Sequence, residues 1–187
     1  MKKLFSLIIT LVVMAGFTLT ACQTTDPAQP QPTIQNDPID LSAEEQEALQ
    51  KQLQDLENLI AEQKQNNEVN HLKVIDLART HEALGQFDEA IGVYEDYLAE
   101  SETVETVMIS NLAVLYKVAE NYQGSINQYQ RLVDEFGEVQ HLNEVARLYV
   151  LLGDVEKAEQ MYEQWKEKTG IEGDQLTEQI IQGAKAK

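Results

Sequence analysis

Between residues 70 and 170, apolar residues recur at the three- and four-residue spacing of helices that bury one face. The first stretch, near 70–84, sets Val74, Leu77 and Ala78 on one stripe with His81. The second, near 87–100, sets Ala90, Ile91, Tyr94 and Leu98. Two further pairs follow. Near 104–119 the stripe is Ile109, Leu112, Ala113 and Tyr116, and near 122–136 it is Ile126, Tyr129, Leu132 and Val133. Near 139–152 it is Leu142, Val145, Ala146 and Tyr149, and near 155–169 it is Ala158, Met161, Tyr162 and Trp165. Each helix sets a small residue beside the large ones (Ala78, Ala90, Ala113, Ser125, Ala146 and Ala158), which lets helix axes approach closely while tyrosines fill the wider gaps.

These stripes repeat. Ala78, Ala113 and Ala146 are 35 and 33 residues apart, and so are Tyr94, Tyr129 and Tyr162. Leu84-Gly85 and Leu152-Gly153 stand where a first helix must end, while the middle copy carries Glu120 in that place. A period near 34 with helices on both sides of a turn predicts an all-α solenoid of three helical hairpins over 70–170.

Two flanking helices complete the expected fold. Ser42 and Glu45 form a capping box opening a helix over 42–66, whose stripe is Leu49, Leu53, Leu56 and Ile60. Leu56 and Ile60 lie 34 residues before Ala90 and Tyr94, so this helix either caps the first hairpin or, with a two-heptad stripe, forms a dimer. Over 173–187, Asp174 is a candidate N-cap for a helix carrying Leu176, Ile180 and Ile181 that seals the third hairpin before a basic tail.

The start of the chain differs in kind. Residues 1–21 combine Lys2 and Lys3 with an apolar run from Leu4 to Leu19, the order of a secretory leader. Leu19-Thr20-Ala21-Cys22 resembles the bacterial lipoprotein signal, which implies cleavage before Cys22 and acyl chains on that residue, enough to hold a protein on a bilayer. Residues 22–41 contain all four prolines and no apolar period, the composition of a solvated linker. The resemblance implies a bacterial cell-envelope location, on the periplasmic side of the outer membrane where two membranes exist.

The net charge of −18 sets 14 basic against 32 acidic residues, which disfavours nucleic acid and anionic lipid surfaces as partners. Chemistry is not evident. His71, His81 and His141 lack metal-ligand spacing, and Cys22 is the one cysteine. His81 occupies the slot of Tyr116 and Tyr149, which reads as a hydrogen-bonded core histidine. No nucleophile elbow, phosphate loop or calcium loop is present. No catalytic residue, metal ligand or cofactor is assigned.

The leucine-glycine turns, the alanines and the tyrosines of residues 70–170 resemble the tetratricopeptide repeat family. The family's proline after the second helix is missing from all three copies, with Glu102 and Gly137 near its place. The resemblance implies a concave wall, built from the first helix of each hairpin, that holds an extended peptide or a partner's helix. On this chain the wall comprises Leu72, Ile75 and Arg79; then Ser110, Val114, Lys117 and Val118; then Asn143, Arg147 and Val150. Val107 and Leu151 lie on the same stripes. Arg79, Lys117 and Arg147 there either receive a partner's carboxylate or pair with neighbouring glutamates. The lysine-and-asparagine clamp of chaperone-binding members is not reproduced, since Ile75 and Arg79 stand at its positions. The expectation is an envelope adaptor binding a protein or peptide partner. The alternative is a self-associating structural lipoprotein that dimerises through its N-terminal helix.

Overall fold

A computed structural model describes residues 41–66 and 68–186. The leader, Cys22 and the linker up to residue 40 lie outside the described residues. Among the described residues eight α-helices follow one another: α1 Ala43–Gln65, α2 His71–Ala83, α3 Phe87–Glu100, α4 Thr106–Val118, α5 Tyr122–Phe136, α6 Leu142–Leu151, α7 Val155–Thr169 and α8 Gln175–Lys185. One turn of 3₁₀ helix, Val139–His141, precedes α6. No strand occurs among the described residues.

Local chemistry sets the boundaries. The Glu45 amide donates to Ser42 Oγ at 3.3 Å, and the Ser42 amide donates to the Glu45 carboxylate at 2.9 Å, closing the capping box of α1. Asn70, Asn121, Asp154 and Asp174 accept from backbone amides at the starts of α2, α5, α7 and α8. The turns inside the first and third hairpins use Gly85 at φ 74° and Gly153 at φ 78°. Glu120 adopts the same left-handed conformation in the middle hairpin, at φ 58°. Where the resemblance led to a proline, α5 and α7 instead end on left-handed Gly137 and Gly170. The end of α3 differs: Ser101 is extended, and a loop of residues 101–105 leads into α4.

Each helix packs on its neighbours in sequence, and α8 packs on both α6 and α7. Ala78, Ala90, Ala113, Ser125, Ala146 and Ala158 are all buried at the helix crossings. Ser125 takes the slot of Ala90 and Ala158 because its hydroxyl donates to the Ala113 carbonyl at 2.7 Å, leaving no unpaired polar group. His81 is buried in its tyrosine slot, with Nδ1 2.9 Å from Gln86 Oε1.

The two end helices are caps. Leu56 and Ile60 are buried against a core containing Val74, Leu77 and Tyr94, so the lower half of the α1 stripe is already occupied within one chain. At the other end Ile181 is buried, but Leu176 is 48% exposed and the adjacent Thr177 is fully buried. Met108, Leu115 and Leu148 stand outside the predicted stripes and are nonetheless buried, Met108 and Leu148 fully so.

Candidate functional site

The wall formed by α2, α4 and α6 keeps several large apolar side chains in solvent. Leu72 and Leu151 are each 56% exposed, and Val107 and Val114 each 43%. Ser110, Val118, Asn143 and Val150 are half-buried among them. Ile75 is a correction to the sequence reading: it is buried in the core with Val74 and Leu77, so a partner cannot reach it. Of the wall positions on α2, its own lies nearest on the helical wheel to the face that meets α1 and α3.

The three basic residues have different circumstances. Arg147 is committed to the fold. Its Nε donates to Thr177 Oγ1 at 2.7 Å, Nη2 to Asp174 Oδ1 at 2.8 Å and Nη1 to Glu144 at 3.4 Å. Asp174 in turn accepts from the Thr177 amide at 2.8 Å, so the guanidinium fastens the first turn of α8 to α6. Hydrogen bonds from Thr177, backbone then side chain, hold the Asp174 carboxyl below its ordinary range, and Arg147 acts in the same direction. Lys117 bridges α4 to α6 through Glu144 at 2.6 Å. Both therefore follow the reading in which these cations pair with neighbouring carboxylates. Arg79 is exposed and makes no ion pair among the described residues.

Behind the wall, one tyrosine per hairpin reaches toward the next first helix. Burial raises the Tyr94 hydroxyl pKa, while a hydrogen bond with Asn111 and the charge of Arg79 oppose that shift. Burial and, after it, the charge of Glu144 push Tyr129 up to about 12. Tyr162 accepts from the Asp174 amide at 2.5 Å and donates to Glu178 at 3.0 Å. One acceptor on the wall is left over: Asn143 Oδ1 is buried and has no partner among the described residues.

Comparison with known proteins gives the repeats an independent basis. The family pattern described as tetratricopeptide repeat matches residues 75–106 and 142–170, within the first and third hairpins. The chain carries tetratricopeptide repeats. The middle hairpin, unmatched, is the one with Glu120 for glycine and Ser125 for alanine. A crystal structure of a tetratricopeptide repeat protein from Parabacteroides merdae resembles the fold at TM-score 0.57 and 22% identity. The match covers 75% of this chain and 60% of that one, so the chain spans less than two thirds of its structural relative. No curated protein matches the chain. The tetratricopeptide fold suggests a protein-interaction scaffold, and proteins built of these repeats are generally non-enzymatic. Among the described residues, no helix is long and apolar enough to cross a membrane. No group of three or more His, Cys, Asp or Glu side chains is placed to hold a metal ion among the same residues.

Proposed function

We propose that the protein is a lipid-anchored adaptor of the bacterial cell envelope that holds an extended segment of a partner along the wall of α2, α4 and α6. The observation that carries the reading is the exposed apolar surface of Leu72, Val107, Val114 and Leu151 along α2, α4 and α6, together with Arg79 of α2, a guanidinium with no ion pair among the described residues. Surface of this kind drives association, and the guanidinium fork selects a carboxylate on the segment. Acyl chains on Cys22 provide the anchor, and residues 23–41 the reach.

Photo-crosslinkers at Leu72 and Val114 in the native envelope should capture one common partner, and Arg79→Glu should abolish capture without altering the melting temperature. Capture that survives Arg79→Glu removes the wall from the reading. Mass spectrometry of the purified protein tests the anchor separately: a free Cys22 thiol rejects it.

A further inference from the structure

On another side of the array, a cleft of about 880 Å³ opens between α1, α2, α3 and the 101–105 loop. Its volume falls within the ~300–1,000 Å³ of ligand pockets, room for a few side chains and not for a whole helix. Ile60, Val74, Val93 and Tyr97 give it an apolar floor. The α2 residues that line it, His71, Val74 and Leu77, lie roughly 150° around the helix from Leu72 and Arg79, at about 100° per residue. The cleft is therefore separate from the wall.

Its rim is one-sided in charge. Asp96, Glu100, Glu102 and Glu105 face it against Lys64 and the imidazole of His71. Lys64 is taken by Glu100 at 2.6 Å, and His71 Nδ1 lies 3.0 Å from Glu105. Asp96 and Glu102 remain, both exposed and with no ion pair among the described residues. This charge discriminates between occupants. The chain's own residues 22–40 carry Asp26, Asp37 and Asp40 and no lysine or arginine, so the rim repels them. A second copy, with net charge −18, and an anionic lipid surface are disfavoured for the same reason.

We propose that the cleft receives a short basic segment of a partner protein. An aliphatic or aromatic side chain sits on the floor of Val74, Val93 and Tyr97, and flanking lysine or arginine heads meet Asp96 and Glu102. The site is independent of the wall and gives the array a second point of attachment for a partner of opposite charge.

The probe is a short peptide of alternating leucine and lysine, titrated by calorimetry into the full chain held in detergent. Saturable binding is expected, weakened about tenfold or more by Asp96→Lys with Glu102→Lys, since rim charges set encounter and register. Glu156→Lys with Glu167→Lys on exposed sites of α7 makes the same change of net charge and should alter affinity less than twofold. Leu72→Ala with Val114→Ala on the wall should also leave it unchanged. Circular dichroism melts confirm that each variant is folded. Equal weakening by the two charge-reversed pairs would mean bulk attraction and overturn the proposal. So would weakening by the wall variant, or no binding at all.

Discussion

Replacing Arg147 by alanine should release α8, because this side chain does two jobs at one point. It supplies the buried Thr177 hydroxyl with a charged donor at 2.7 Å, and it holds the Asp174 cap at 2.8 Å. Hydrogen bonds from ionised donors contribute about 1.5–3 kcal/mol each. The Asp174 pair is one-third exposed on the aspartate side and contributes about 1 kcal/mol or less. Thr177 keeps its bond to Asp174 Oδ1, so its hydroxyl is not orphaned completely. The expected loss is about 2–3 kcal/mol. Unfolding entropy near 2.1 cal/mol/K per residue over about 145 residues converts this to roughly 7–10 °C if the array melts as one unit. If α8 opens alone, the loss appears instead as faster amide exchange over Gln175–Lys185. Arg147→Lys should recover less than half of it, since an ammonium cannot reproduce the fork. Unchanged exchange of α8 together with a melting temperature within about 1 °C would refute the assignment. The result also decides how the wall is probed, because any loss of partner binding on mutating Arg147 would be confounded by the fold.

Other perturbations test other parts of the molecule. Glu120→Gly relieves a left-handed residue that costs about 1–2 kcal/mol but adds about 0.5–1 kcal/mol of chain entropy, so denaturant unfolding should show a net gain near 0.5 kcal/mol. Gly124→Ala places a Cβ 2.9 Å from the Tyr116 ring; overpacking of about 1–3 kcal/mol should outweigh a helix-propensity gain near 1, lowering the urea midpoint. Leu56→Ala with Ile60→Ala should uncover the first hairpin and cost about 4 kcal/mol or more in all, while sedimentation of the parent chain without that change checks for dimers. Burial raises the pKa of Tyr116 and Tyr129 to about 12, and in Tyr116 the hydrogen bond to Glu95 adds to it. The folded state therefore holds these protons more tightly than the unfolded chain. Their contribution is complete below pH 10 and is lost as pH rises toward 12, which tyrosinate absorbance followed beside circular dichroism should reveal as titration coinciding with unfolding.

Much of the fold was legible because its signals are local. The capping box at Ser42, the glycines at 85 and 153, and the small residues at the crossings each act within one turn or one hairpin. The wall was legible only as a set of helix positions. Ile75 and Leu72 are both aliphatic and three residues apart, and only the packing of α1 and α3 on α2 decides that one is buried and the other not. Arg147 was legible as a basic residue on α6, but two of its partners lie 27 and 30 residues away, on a helix whose register the stripe of Leu176, Ile180 and Ile181 set wrongly at its first turn. Thr177 concealed that register, since a polar residue next to Leu176 reads as the solvent side until its hydroxyl is seen to be satisfied. The cleft beside α1 left no trace, because Val93 and Tyr97 read as ordinary flanks of the Tyr94 stripe.

Because α1 packs on α2 as α3 packs on α4 and α5 on α6, the chain can be divided in two ways. Cut at the loops between hairpins, before residues 71, 106, 142 and 175, it holds three hairpins with a spare helix at either end. Cut at the loops before residues 87, 122 and 155, it holds four consecutive pairs and no spare helix. Under that second division, excising residues 87–121 removes α3 and α4 as one unit and leads α2 through its own turn into α5, the order found inside every hairpin, so the shortened chain should still close on itself.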